Sequence, residues 1–283
     1  GRTMDRIDAH QHFWRVGRGD YHWMDDSVAP IRRDILPEDI SPLLVRHGID
    51  GSVAVQAAAT EAETRFLLAL AKDAPFVRGV VGWVDLESAD VANRLEDLAS
   101  DPKLKGVRPM LQDIDDTDWI ARPAVVQGLR AVAERGLRLD TLVQPRHLRI
   151  LTQVAEGIPE LPIVIDHCAK PLIAGGVDPG DGWRADMARL AALPQVMCKL
   201  SGLANEAGQD WSAEGLRPVA DHVLQVFGPE RVMWGSDWPV LEMVGIYDGW
   251  VSATETLLSG LTPNQRAQVL GGTATQFYGL EAV

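Results

Sequence analysis

The sequence predicts an α/β fold: a single (β/α)8 barrel of the TIM type, with its active site at the C-terminal ends of the strands. Three observations predict it. Eight short apolar runs alternate with longer stretches of helical periodicity, and continuous apolar strands between helices imply a parallel sheet covered by those helices. The 283 residues, 46% of them hydrophobic, suffice for a barrel, which takes roughly 250 residues. No Gly-x-Gly-x-x-Gly follows a strand, which counts against an open dinucleotide-binding sheet.

The strand-like runs lie at 7–12, 51–56, 78–84, 104–108, 137–143, 163–167, 196–200 and 232–236. Helical stretches lie between them, among them 61–72, 91–99, 124–134 and 216–227. Thr60, three residues before Glu63, is a capping-box signal, and Thr262-Pro263-Asn264-Gln265 is another with proline at the first helical position. Two connections are long: 13–36, which holds Trp14, Tyr21, His22 and Trp23, and the Gly- and Pro-rich 170–182. Both follow strands, so both belong on the C-terminal face, and loops of that length are often functional. No linker, repeat or second domain breaks residues 4–283; Gly1, Arg2 and Thr3 ahead of Met4 read as a cloning remnant outside the fold.

The net charge of −13 argues against a nucleic-acid partner, because phosphate binding needs clustered Lys and Arg. No run of 18 apolar residues is present, so no membrane span is expected. The two cysteines, Cys168 and Cys198, have neither Cys-x-x-Cys nor zinc-ribbon spacing. They read as free thiols of a reducing compartment, and with no signal-peptide pattern the expected location is the cytoplasm.

Chemistry enters with "RIDAHQHFW". On a strand, residues two apart share a face, so His10 and His12 aim together, with Asp8 below them. Two imidazoles with one aim can hold a metal or polarise a carbonyl. Strand six adds Asp166 and His167 in "IVIDHCAKP", and strand eight adds Asp237 in "VMWGSDWP". Three histidines and an aspartate at the same ends of three strands are hard to explain as packing. Arg108 ends strand four with Gln112 beyond it, and strand seven carries Lys199 and Ser201 on one face.

"IDAHQHFW", "DHCAKP" and "GSDWP" resemble the amidohydrolase superfamily (amidohydrolase 2 type), and more narrowly its sugar-lactonase branch. "YHWM", "GVRPMLQD", "CKLSGL" and "GGTATQFY" fit that branch too, so the resemblance covers nearly the whole chain. It implies hydrolysis of a small lactone such as an L-fucono- or L-rhamnono-lactone. Binuclear members of the superfamily use a bridging carboxylated Lys or Glu on strand four and a His on strand five. Here strand four offers Arg108, Pro109 and Met110, and strand five offers Asp140 and no histidine. At most one divalent ion is therefore expected among His10, His12, His167 and Asp237. Zinc suits three His and one Asp, while the branch includes members that work without metal, so no cofactor is taken as obligatory.

A lactone needs its carbonyl oxygen stabilised and a water deprotonated. His10, His12 and His167, or a metal they hold, can supply the first, and Asp237 is the candidate base. There is no Gly-x-Ser-x-Gly elbow, and Ser201 reads as a binding residue. Trp14, Trp23, Trp83 and Trp238 near the strand ends suit a sugar ring, and Gln56, Arg108 and Gln112 its hydroxyls. Lys199 reads either as a substrate contact or as a buried ion-pair partner. The rival readings are a metal-dependent decarboxylase, a lactone isomerase and a catalytically dead binding barrel.

Overall fold

A computed structural model describes residues 4–280. Eight strands run parallel in sequence order: β1 Ile7–Gln11, β2 Gly51–Val55, β3 Val77–Gly82, β4 Leu104–Val107, β5 Arg138–Thr141, β6 Ile163–Ile165, β7 Val196–Leu200 and β8 Val232–Trp234. The first and last strands are joined just past their ends. Asp237 N–H donates to the His10 carbonyl (2.8 Å) and His12 N–H to the Trp238 carbonyl (2.9 Å). The sheet is thus the predicted (β/α)8 barrel. The residues before Met4, read as a remnant, lie outside the described residues.

Every strand is buried on both faces or nearly so, which explains why their sequences are apolar runs rather than alternating ones. The outward residues pack under the helices: α1 Pro37–Arg46, α2 Glu61–Lys72, α3 Val91–Leu98, α4 Pro123–Glu134, α5 Leu148–Gly157, α6 Asp181–Ala191, the short α7 Leu203–Ala207, and α8 Ala213–Phe227. After β8 come α9 Tyr247–Leu257, α10 Pro263–Ala267 and α11 Thr273–Tyr278. Inside the barrel, Ile7, Ala9, Val53, Val55, Val81 and Met233 pack with Phe277, Tyr278 and Leu280 from the C-terminal segment. These side chains form an apolar cluster of their own, separate from the larger core under the helices.

The capping signals differ in outcome. Thr262 and Gln265 cap each other reciprocally. Thr60 accepts from Glu63 N–H, but the Glu63 carboxylate does not return to it. Glu63 is buried and accepts from Ala57 N–H (2.6 Å), Tyr21 Oη (2.8 Å) and Arg18 (2.7 Å). That arrangement pins the long 13–36 connection to the start of α2. Trp14 Nε1–H on Arg33 O and Trp23 Nε1–H on Ala57 O, at 2.8 and 2.7 Å, fix it further. Among the described residues, no helix is long and apolar enough to cross a membrane.

Candidate active site

His10, on β1, and His12, one residue past its end, both face the carboxylate of Asp237. His12 Nε2 lies 3.1 Å and His10 Nε2 3.6 Å from Asp237 Oδ1, and His167 Nε2 lies 3.8 Å from Asp237 Oδ2. The His10 ring centroid is 5.0 Å from that of His12 and 4.5 Å from that of His167. All four side chains are buried or nearly so. The four residues that the sequence placed at one mouth do come together there.

Two of the four do not get there by strand geometry. β6 ends at Ile165 and β8 at Trp234, each two residues short of expectation. His167, Cys168, Ala169 and Lys170 all have left-handed φ, between 47 and 64°, and Asp237 has φ 55°. Side chains with a Cβ resist that conformation, at about 1–3 kcal/mol each, and such strain collects at functional sites. The turn swings His167 inward. Gly202, itself left-handed at φ 67°, leaves the room: a Cβ there would lie 2.6 Å from His167 Cγ. Gly235 does the same for His10, whose Cβ would be 2.7 Å from an added methyl.

Asp8 is corrected. It lies on β1 with His10 but does not share its target; its carboxylate accepts from Ser236 N–H and Tyr247 Oη at 2.9 Å each, joining β1 to β8 and α9.

The hydrogen bonds set the protons. His12 Nδ1 lies 2.8 Å from the Val55 carbonyl. A carbonyl only accepts, so Nδ1 carries hydrogen, and in a neutral ring Nε2 is bare. That bare nitrogen faces Asp237 Oδ1, a second acceptor. One cation, a proton or a metal ion, belongs between them. Burial pushes the Asp237 carboxyl up, but the adjacent His167 and His12 imidazoles and the Lys170 ammonium outweigh it and hold it below the usual carboxylate range. Burial drives the His167 imidazole down to about 3 and, with Lys199's charge, drives His10 well below its ordinary value, so both are neutral at pH 7. His167 Nδ1 is 2.7 Å from Ser201 Oγ, which orients the ring.

Donor atoms of His10, His12 and Asp237 lie within 4.8 Å of one another. The facing acceptors of His12 and Asp237 fit a divalent ion, and His and Asp donors suit zinc.

Beneath this group runs a buried polar chain. Lys199 Nζ donates to Asp140 Oδ2 (2.7 Å) and reaches His10 Nδ1 (3.1 Å). Tyr278 Oη donates to Asp140 Oδ1 at 2.5 Å. Burial raises Asp140, yet the Lys199 ammonium outweighs it and holds that carboxyl low, while burial and the Asp140 charge push Asp166 well up. Arg108 is committed to Gln56 Oε1 (2.6 Å), the Gln56 carbonyl (2.7 Å) and Asp166 (3.0 Å). Gln56 gives its amide to Ala58 O. Arg108 and Gln56, expected to bind hydroxyls, are therefore spent on each other, because each is buried and must satisfy its polar atoms locally. Lys199 is wholly buried and stands in the ion-pair role.

The aromatic residues divide similarly. Trp14 is fully buried and stacks against His12 at 6.1 Å, so it backs the histidine rather than lining the pocket. Trp238 is buried, with Nε1–H on Glu242 (3.1 Å). Trp23, Trp83 and Gln112 keep partial exposure. Sequence reasoning missed Glu206, on α7, and gave Lys170 no role. The Lys170 charge acts on His167, Asp237 and Glu206, and burial pushes Glu206 up. It also missed Tyr278, whose only signal was the "GGTATQFY" segment. A cavity of about 510 Å³ opens elsewhere, between the start of β1, α9 and α10, and its lining includes Arg6, Trp234 and Arg266. It touches none of the four mouth residues.

The family model described as Amidohydrolase matches residues 7–280. The chain belongs to the amidohydrolase family. This amidohydrolase is 44% identical over 280 residues to an L-fucono-1,5-lactonase of Burkholderia ambifaria, covering 98% of this chain and 96% of that one. An L-fucono-1,5-lactonase of Burkholderia multivorans is 39% identical, with 97% and 96% covered. A crystal structure of a Burkholderia multivorans amidohydrolase with bound zinc superposes with a TM-score of 0.92 at 37% identity, covering 98% of this chain and all of that one.

Proposed function

We propose that this amidohydrolase is a lactonase that opens the ring ester of a small sugar lactone by attack of water. One observation carries the reading: His12 Nε2 and Asp237 Oδ1, both acceptors, face each other at 3.1 Å with room for a single proton. In its deprotonated form this pair is a base beside two neutral histidines. L-fucono-1,5-lactone, named in the relatives above, is the first substrate to test.

The lactone carbonyl sits against the histidines. Water attacks the carbonyl carbon while Asp237 takes its proton, and the developing oxyanion accepts hydrogen bonds from imidazole N–H groups. The tetrahedral intermediate then breaks its bond to the ring oxygen. Asp237 returns the proton to that leaving alkoxide, giving an open hydroxy acid. A single divalent ion, held by His12 and Asp237, would supply Lewis-acid polarisation of the same carbonyl. Trp23 and Trp83 offer partly exposed faces to the sugar ring, and Gln112 a polar group to its hydroxyls. Net charge and the neutral histidines favour a neutral lactone over a dicarboxylated ring, for which Arg108 is already committed.

The test is a pH-indicator screen of aldonolactones, run with proton NMR of the products. Acid release above the spontaneous rate is expected with L-fucono-1,5-lactone among the best substrates. Conversion to another lactone without acid release would move the chain to the isomerases, and carbon dioxide from an aromatic acid would move it to the decarboxylases.

A further inference from the structure

The Lys199 ammonium has three protons and no lone pair. Three acceptors surround it: Asp140 Oδ2 at 2.7 Å, His10 Nδ1 at 3.1 Å and Asp166 Oδ1 at 3.7 Å. All four side chains are wholly buried, so no bulk water offers a substitute partner. A group that can only donate requires an acceptor opposite it, so His10 Nδ1 must be bare and the ring proton of neutral His10 sits on Nε2. That Nε2 is a buried nitrogen with no hydrogen-bond partner of its own, and it points at the Asp237 carboxylate 3.6 Å away.

A second observation concerns cations. Donor atoms of His10, Asp140 and Asp166 also lie within 4.8 Å of one another, close enough to hold an ion. The ammonium contacts all three. The charge that a second metal would bring is already built into the chain on β7.

We propose that Lys199 is a positioning residue that fixes His10 in its Nε2–H form, which makes His10 a hydrogen-bond donor to the lactone oxyanion and withdraws it from metal ligation. The proposal deepens the lactonase reading and rests on it for the identity of the oxyanion. Metal binding needs a bare nitrogen lone pair, so an ion at the mouth would keep only His12 and Asp237 of the three residues whose ligand atoms lie within 4.8 Å of one another.

The experiment is two-bond proton–nitrogen NMR of the full chain with ¹⁵N-labelled histidine, without added metal and again with zinc. His10 is assigned by its loss in His10→Asn. The expected pattern is Nε2–H for His10 under both conditions, with zinc shifting His12 instead. An Nδ1–H pattern, or zinc ligation at His10 Nε2, overturns the proposal.

A paired variant, Lys199→Met with Asp140→Asn, removes one positive and one negative group together. His10 Nδ1 then faces Asp166 Oδ2, 3.9 Å away, and the tautomer is expected to switch to Nδ1–H. With the oxyanion donor gone, kcat should drop on the order of 10²–10³ with KM little changed. A switched tautomer with unaltered kcat overturns the catalytic part, and an unswitched one overturns the positioning part. If the variant fails to fold, the wild-type spectrum still decides. Failure to find lactonase activity would defeat the functional reading and leave the tautomer result standing.

Discussion

Two groups of ligand-type side chains share His10 and differ in what neutralises them. Below it, His10, Asp140 and Asp166 close around the Lys199 ammonium, with Tyr278 bonded to Asp140 and Arg108 to Asp166. Above it, His10, His12 and Asp237 converge, and among the described residues no Lys or Arg is hydrogen-bonded to Asp237. The lower group has its counter-charge within the chain and serves to hold His10. The upper one is short of one cation, and that shortage is what a substrate proton or a metal ion can use. Similar residue types thus do different work depending on whether the chain supplies the counter-charge itself.

The sharpest way to break this contrast is at Asp237. Asp237→Asn keeps the shape and removes the proton acceptor. With L-fucono-1,5-lactone, kcat should fall on the order of 10²–10⁴ while KM changes little. A folded variant, checked by its melting curve, that retains more than about a tenth of the wild-type kcat would remove the general-base role.

Acid tests the neutrality of the upper histidines. His167 is held at about 3 against an ordinary 6.5. Below 6.5 the unfolded chain binds a proton that the folded site refuses, so stability is fully present above that pH. It is lost progressively as pH falls towards 3, by a total on the order of a few kcal/mol. Urea midpoints between pH 7.5 and 5 should decline, and His167→Asn should flatten the decline. A slope unchanged by that variant would contradict the burial of a neutral imidazole.

Gly202→Ala sharpens the contrast through shape. The added methyl meets His167 and must adopt φ 67°, a cost of about 1–3 kcal/mol. Gly175→Ala, also left-handed but with open space around it, should cost only the backbone strain, about 1–2 kcal/mol, without the clash that Gly202→Ala adds. Equal melting shifts for the two would mean that the His167 turn is not tightly fitted. The smallest effect is expected from Ser201→Ala, which deletes one hydrogen bond to His167. Steady-state kcat should fall roughly three- to tenfold, the worth of one such bond; no change would leave the ring oriented by packing alone.

The barrel was legible because strands buried on both faces read as apolar runs, and helix periodicity separates them. The mouth was legible because His10, His12, His167 and Asp237 all fall at run ends. What could not be read was how two of them arrive. The alternation rule placed His167 and Asp237 on strands, whereas both sit in left-handed turns that no propensity favours. Nor could the partners of Lys199 be read. Asp140, His10 and Tyr278 lie 59, 189 and 79 positions away in the chain, and only the barrel's closure brings them to one ammonium. The same holds for Arg108 and Gln56, whose mutual bonds depend on the relation of β2 to β4.

The central claim is that water attacks the lactone carbonyl carbon. Turnover of L-fucono-1,5-lactone in ¹⁸O-labelled water, corrected for spontaneous opening and read by mass spectrometry, tests it most directly. The account predicts one labelled oxygen per turnover, in the new carboxylate and not in the hydroxyl released from the ring. Label in that hydroxyl, or enzyme-dependent conversion with no label, would contradict it.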